Sequence, residues 1–339
     1  MKYQTLGKSG LMVSSLCLGT MIFGEISPRA TPPDEAERMI HRYLDAGGNH
    51  IDTANVYAKG QSEEIIGKAL KGHKRDQVVL ATKVRGRVGQ GPNDVGLSRY
   101  HIMNSVEASL RRLQTDVIDL LYVHMWDAAT PLEETLRTLD DQVHAGKVRY
   151  VGVSNFKAWQ IMKGLSISDA HGWVRFIAAQ LQYSLVTRDI EREYSDLCLS
   201  EGIGITPWGP LGGSFLTGKY RPDHRPQSAS EGRLGFSPPE HEESWERRAT
   251  ERNWKIIETI DEIVRSHPGA TYSQVALAWL LNRPAVASVI FGARTIEQLE
   301  DNLGADELLL AQEELQRLNE VSAPEEGYPY RILNLYSSR

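Results

Sequence analysis

Apolar runs of strand length alternate along the chain with longer stretches in which apolar residues recur at helical spacing. Ser15-Leu16-Cys17-Leu18 reads as a buried strand ending at Gly19-Thr20-Met21, and the stretch from Pro33 to Ala46 reads as a helix closed by Gly47-Gly48. The unit then repeats. His50 to Asp52 precedes a helix over Ser62 to Leu70, Val78 to Thr82 precedes Arg99 to Leu113, and Ile118 to Val123 precedes Pro131 to Ala145. Val148 to Val153 leads to Ala158 to Leu165, and Phe176 to Ala179 leads to Asp189 to Glu201. Gly204 to Thr206 opens a seventh unit whose helices, near Trp254 to Ser266 and Ser273 to Asn282, come only after a long connection. Val286 to Phe291 and Thr295 to Leu303 make the eighth. Strand starts recur about every 25 to 35 residues up to that connection, and such alternation favours a parallel sheet. Eight units closing on themselves predict an α/β fold, a (β/α)8 TIM barrel, with residues 1–339 as one domain.

Three stretches stand outside the alternation. Tyr3 to Leu6 and Leu11 to Val13, punctuated by Gly7 and Gly10, predict an N-terminal β-hairpin. Pro207 to Glu251, the loop after the seventh strand, has the length of a functional lid or a disordered segment. Gln312 to Val321 predicts a C-terminal helix, and Pro324 to Arg339 an irregular tail. Within the second unit, Ser62 with Glu63 and Glu64 resembles a helix N-cap whose acidic first turn complements the helix dipole.

Charge and composition narrow the function. The net charge is −6, with Lys and Arg mixed among Asp and Glu, which argues against a nucleic-acid or anionic-membrane partner. No run approaches the roughly 18 apolar residues of a membrane span, and no signal-peptide core is present, so a cytoplasmic location is expected. Cys17 and Cys198 fall in apolar runs and read as two buried, reduced thiols.

The candidate chemistry lies at strand ends. Asp52, Tyr57, Lys83 and His124 each fall at or just after the end of a predicted strand, so a barrel would gather all four on one face. Taken singly, each has a plain structural reading: a turn former, a half-buried aromatic, a solvated strand terminus, a core histidine. Together they compose an acid-base catalyst. A free phenol, with a pKa near 10, is a weak acid, but an adjacent ammonium stabilises its phenolate. Lys83 supplies the cation, Asp52 holds it, and a neutral His124 can orient a substrate oxygen. The set suits carbonyl reduction or alcohol oxidation and needs no metal. His101, His171 and His267 match no such position and are expected at the surface.

The stretches HIDTANVYAKGQSEEIIGKAL, ATKVRG, IDLLYVHMWD, VGVSNF, TPWGPLGGSFLTGKY and FGARTIEQLEDNLGA, in that order, resemble the aldo-keto reductase family from about Tyr3 to Leu308. The resemblance implies a TIM barrel that binds NADP(H) in an extended pose, in keeping with the lack of a G-x-G-x-x-G between an early strand and helix. It makes Tyr57 the proton donor, Lys83 its pKa tuner, Asp52 the lysine's partner and His124 the substrate-orienting group. It also implies cofactor contacts at Gly19, Thr20, Met21 and Asp52, nicotinamide contacts at Ser154, Asn155 and Gln180, and a nicotinamide-facing ring at Trp208. Gly209, Pro210, Leu211, Gly213 and Lys219 match the pyrophosphate loop. Gly292, Ala293, Arg294, Gln298, Asp301 and Asn302 match the segment that grips the adenosine end, with Arg294 a candidate 2′-phosphate ligand favouring NADP over NAD.

Arg221 and Arg233 are candidate phosphate contacts in the long connection. The substrate, a small carbonyl compound or alcohol, is expected against Tyr57, His124, Phe23 and Trp126, within a rim that also includes Ile22, Val84, Arg85 and Asp127. Trp208 stands where many members carry tyrosine, which resembles the bacterial and potassium-channel β-subunit branches. An NADP-dependent carbonyl reductase is therefore expected. The alternative is a channel-subunit-like regulatory protein that binds the cofactor, and His124, which that branch tends to replace by Asn, favours the enzyme.

Overall fold

Strands whose side chains alternate between two apolar environments must be covered on both faces, and closing a parallel sheet on itself achieves this. The computed structural model describes residues 1–235 and 237–336, apart from the side chains of His73 and Asn334. It opens with an antiparallel hairpin, β1 (Tyr3–Thr5) and β2 (Met12–Ser14), followed by β3 (Leu16–Gly19) and α1 (Pro33–Asp45). Then come β4 (His50–Asp52), α2 (Gln61–Ala69), β5 (Val79–Val84), α3 (Arg99–Leu113), β6 (Ile118–Val123) and α4 (Leu132–His144). They lead to β7 (Val148–Ser154), α5 (Ala158–His171), β8 (Phe176–Gln180), α6 (Tyr194–Glu201) and β9 (Gly204–Ile205). The chain ends with α7 (Trp245–Arg248), α8 (Glu251–Ser266), α9 (Tyr272–Leu281), β10 (Val289–Phe291), α10 (Ile296–Leu303), α11 (Gln312–Val321) and α12 (Tyr330–Tyr336).

The strands pair in parallel in the order β10-β3-β4-β5-β6-β7-β8-β9. Ile205 N donates to Ala285 O (2.7 Å), Ala287 N to Ile205 O (2.8 Å) and Ile290 N to Pro207 O (2.9 Å), which joins the last edge to the first. The result is a (β/α)8 barrel, as the alternation predicts.

Two-residue periodicity divides each strand. On β5, Leu80 and Val84 join the core between strands and helices, while Val79 and Ala81 join a separate cluster inside the barrel. On β6, Leu121 and Val123 face the helices, while Leu120 and Tyr122 face inward. Continuing the parity carries Lys83 and His124 to the inner face at the C-terminal end. The same count places Asp52 and Gln180 there, because Ile51 and Ala179 belong to the outer core.

The hairpin covers the opposite end. Leu6 and Val13 complete the inner cluster, and Lys8 N donates to Gly202 O (2.8 Å). Gly7 turns there with φ 62°, where an added Cβ would lie 2.4 Å from Gly202 O. Only glycine meets both demands.

Several local expectations need correction. Gly60, in a left-handed conformation, is the N-cap of α2, and the Ser62 hydroxyl turns inward to Thr20 O (2.9 Å) and Thr20 Oγ1 (2.8 Å). Glu63 is fully buried and accepts from Thr82 Oγ1 (2.6 Å) and Arg112 Nε (2.7 Å), so it joins α2 to β5 and α3. The helix expected from Asp189 breaks into a 3₁₀ turn, Asp189–Arg192, before α6. The tail carries α12 instead of being irregular throughout, and its last residues, 337–339, lie outside the described ones. His101 is buried, with Nδ1 3.1 Å from Asn93 O, whereas His171 is exposed and His267 is half-buried against Glu314. Cys17 and Cys198 are free and buried, as expected. Among the described residues no helix is long and apolar enough to cross a membrane.

Gly7→Ala should destabilise the protein by more than about 1 kcal/mol, because the left-handed backbone and the Gly202 carbonyl both oppose a methyl group. Urea denaturation would check this, and an unchanged midpoint would remove the hairpin turn from the stability of the barrel floor.

Candidate active site

Strand parity accounts for the centre of the site. Lys83, fully buried, extends from β5 and places Nζ against the Asp52 carboxylate, 2.8 Å from Thr53 O and 3.3 Å from the Tyr57 hydroxyl. Gln180 Nε2 donates to the other Asp52 oxygen at 2.7 Å. Tyr57 comes from the loop after β4, which then turns sharply through three left-handed residues, Ala58, Lys59 and Gly60 (φ 46°, 56° and 98°). Two of them are non-glycine, a concentration of backbone strain that aims the ring inward. The Tyr57 ring meets His124 edge-on at 5.9 Å.

The electrostatics follow from enclosure. Burial pushes the Tyr57 phenol above its ordinary pKa, while the Lys83 charge and hydrogen bond pull the other way. The ammonium therefore offsets burial without reversing it, and Tyr57 keeps its proton at neutral pH. For Lys83 burial opposes the charge, but Asp52 and Tyr57 outweigh it and hold the pKa above that of an ordinary lysine. His124 is driven down to about 3 by burial first and by Lys83 and Arg85 second, so its imidazole is neutral.

The remaining predicted residues fall around this centre. Asn155, at φ 53°, donates from Nδ2 to His124 O (3.0 Å) and Ser154 Oγ (2.9 Å), and accepts from Trp208 Nε1 (3.2 Å). Ser154 Oγ donates to Gln180 O (2.9 Å). Trp208, Asn155, Ser154 and Gln180 thus form one hydrogen-bonded arc. Thr20 is held by Asp52 O through both its amide (3.0 Å) and hydroxyl (2.9 Å), Gly19 lies against Ile290 and Phe291, and Met21 is exposed. Trp126 packs on Phe156 (5.1 Å) and Trp159 (6.1 Å) beside the start of α5. Phe23 is wholly enclosed in the outer core, so its side chain presents no surface to a substrate.

A second cluster lies where the β3 loop, the long connection and the α10 loop meet. Gly209 and Gly213 turn with φ 65° and 70°, Pro210 is buried between them, and Leu211 packs on the outer core. An added Cβ at Gly292 would meet nothing within 4 Å. Ala293 is buried, and Arg294 N donates to Gln298 Oε1 (3.0 Å) at the start of α10. Asn302 Nδ2 donates to Gly292 O (3.3 Å), and Asp301 O accepts from Gln274 Nε2 (2.9 Å). Lys219 is pulled down to about 8 by enclosure and by the nearby Arg29 and Arg294. Arg29, which the strand pattern does not single out, donates from Nη1 to Ala229 O (2.7 Å), so the β3 loop crosses to the long connection.

Among the described residues none of Lys219, Arg29 and Arg294 has an acidic partner, and Arg294 Nε is buried without any. Arg233 alone of this group is paired, with Glu243 at 2.8 Å. Arg221 turns back to Gly218 O (2.7 Å) and Tyr220 O (3.1 Å). Cations gathered without acidic partners of their own favour an anion, and the open backbone at Gly292 beside them leaves room for one, whereas Gly209 and Gly213 lie against Glu243. The residues present therefore fit a phosphate-bearing nicotinamide cofactor.

A parallel barrel with a buried lysine held between a carboxylate and a tyrosine hydroxyl at one end, and a group of cations without acidic partners among the described residues beside it, has the frame of an oxidoreductase. The aldo/keto reductase family model matches residues 15–323, and the chain belongs to that family. It is 37% identical over 331 residues to the uncharacterized oxidoreductase YrpG of Bacillus subtilis, covering 95% of this chain and 96% of that protein. A probable voltage-gated potassium channel subunit beta of Oryza sativa is 35% identical over 339 residues, covering 98% of this chain and all of the relative. The norsolorinic acid reductase stcV of Emericella nidulans is 36% identical over 336 residues, covering 96% and 82%.

The site also sets a pH dependence. His50, fully enclosed with Nδ1 3.0 Å from Ser288 Oγ, is lowered to about 3 by burial and then by Lys83, as His124 is by its own surroundings. Unfolded imidazoles titrate near 6.5, so from there down to about 3 the unfolded chain binds more protons, and stability present at neutral pH is lost as the pH falls. Urea midpoints should decline from about pH 7 to pH 4, with a shallower slope in His50→Gln. Parallel slopes would exclude His50 from the effect.

Proposed function

We propose that the protein is an NADP(H)-dependent oxidoreductase that reduces an aldehyde or ketone to the alcohol, or runs the reverse oxidation, with Tyr57 as general acid and base. The observation that carries this reading is the contact of one buried ammonium, Lys83, with the Asp52 carboxylate and the Tyr57 hydroxyl at 3.3 Å. When bound, the reduced nicotinamide supplies the hydride. Tyr57 gives its hydroxyl proton to the carbonyl oxygen as negative charge develops there, and Lys83 steadies the phenolate left behind. Asp52 keeps the ammonium in place. Neutral His124 hydrogen-bonds the same oxygen and orients it. Burial retains the proton before transfer and the ammonium eases its departure, two opposed effects suited to a group that cycles between states.

Arg29, Lys219 and Arg294 support NADP over NAD, because a 2′-phosphate adds charge where three cations lack acidic partners among the described residues. Ser154, Asn155, Gln180 and Trp208 would hold the nicotinamide, and the backbone around Gly209, Gly213 and Gly292 the phosphates. Two buried free thiols support a reducing, cytosolic setting. The relatives named as potassium channel subunits support a second reading, a cofactor-binding regulatory protein, but a complete acid-base set including His124 favours turnover.

Tyr57→Phe should lose roughly 10²-fold or more in turnover while still binding NADPH, as read by NADPH absorbance and by fluorescence titration. Reduction at the parent rate would end the proton-donor assignment. Arg294→Ala should weaken NADPH much more than NADH in the same titration, and equal losses would count against a phosphate contact.

A further inference from the structure

One cation at the barrel mouth belongs to neither the proton-transfer set nor the phosphate cluster. Arg85 follows directly on β5, one residue past Val84 and two past Lys83, and its charge acts on His124. The pairing of Val84 with Val123, and the hydrogen bond from His124 N to Val84 O (2.9 Å), bring it beside His124. On its other flank Gly86 presses on the Tyr57 loop, where an added Cβ would lie 2.4 Å from Val56 Cγ1. Arg85 therefore stands between the elements that carry the proton donor and the orienting imidazole.

The residue is held there against its own preferences. Its φ of 142° is one that L side chains rarely adopt, and its carbonyl is fixed by Gly96 N at 2.9 Å. Its Nε is sealed from solvent with no hydrogen-bond partner, and among the described residues the guanidinium forms no ion pair. The nearby acid, Asp127, is committed elsewhere: it accepts from Leu97 N (2.8 Å), Ala129 N (3.0 Å) and Thr130 Oγ1 (2.7 Å). Lys83 has Asp52 and Arg233 has Glu243, so both are already balanced. A guanidinium that is partly desolvated, backbone-strained and unpaired beside a reactive centre is built for an anion from outside the chain.

We propose that Arg85 binds an anionic group of the substrate, so that the preferred carbonyl compounds carry a carboxylate or a phosphate near the carbonyl. This rests on the reductase reading above. The anionic group takes no part in the chemistry; it sets which end of the molecule reaches Tyr57 and His124.

The test compares matched probes with the full chain and NADPH: 4-carboxybenzaldehyde against its methyl ester for the carboxylate, and glyceraldehyde 3-phosphate against glyceraldehyde for the phosphate. The parent protein should favour at least one anion over its neutral partner by about tenfold or more in kcat/KM. Arg85→Gln should lose that preference mainly through KM, and Arg85→Lys should recover part of it. Whichever arm responds identifies the anion. A parent protein indifferent to charge in both arms, or an Arg85→Gln variant that loses acid and ester equally, would overturn the proposal. Calorimetric binding of benzoate and methyl benzoate to the NADP⁺-mixed parent and variant separates the two readings. If no carbonyl is reduced yet benzoate binding depends on Arg85, the reductase reading fails and the anion site stands. If carbonyls are reduced while neither benzoate binding nor the preference for glyceraldehyde 3-phosphate depends on Arg85, the anion site fails alone.

Discussion

A single buried ammonium constrains the rest of this structure. Lys83 is fully buried inside the sheet, where a lone charge would be prohibitively costly, and it is tolerated because Asp52, the Thr53 carbonyl and Tyr57 surround it. Asp52 is in turn held by Gln180. Residues from β4, β5 and β8, distant in the chain, thus satisfy one charge together, and the same contacts bring a phenol and a carboxylate within reach of the barrel mouth. Removing one partner would leave an uncompensated ion in the core, so architecture and chemistry share this interaction.

Positive charge at the open end is partitioned rather than spread. Lys83 and Arg233 have acids, whereas among the described residues Arg29, Lys219 and Arg294 on one side and Arg85 on the other do not. The unpaired groups are carried by loops after β3, β5, β9 and β10, which the barrel brings to one face. The hydrogen bond from Arg29 to Ala229 closes a belt across that face without using any residue of the acid-base centre. Tyr220, Trp245 and Trp254 meet edge to face at about 6 Å, giving the long connection an apolar anchor of its own.

Much of this was legible in the residues because alternation is a local property. The strands and most helices follow from short apolar runs and their spacing, and strand parity alone carries Asp52, Lys83, His124 and Gln180 to the inner face. The failures lie where a distant partner overrides a local preference. Ser62 reads as a cap but meets Thr20 and Thr53 across the fold; Glu63 reads as a solvated first-turn acid but is enclosed by Thr82 and Arg112. His101 reads as surface because its covering loop lies outside its own helix, and Phe23 as rim because loop position does not reveal which way a ring turns.

The order of strands and helices, the two buried thiols and the clustering of chemistry-bearing residues at strand ends were determined by the amino-acid sequence, since periodicity and turn chemistry act over a few neighbours. Only the tertiary structure decided which cations find acids, that burial outweighs Lys83 in setting the Tyr57 proton, and that among the described residues Arg29 and Arg85 have no acidic partner. Those outcomes depend on solvent exclusion and on distances between segments far apart in the chain, quantities that exist only once the barrel has closed.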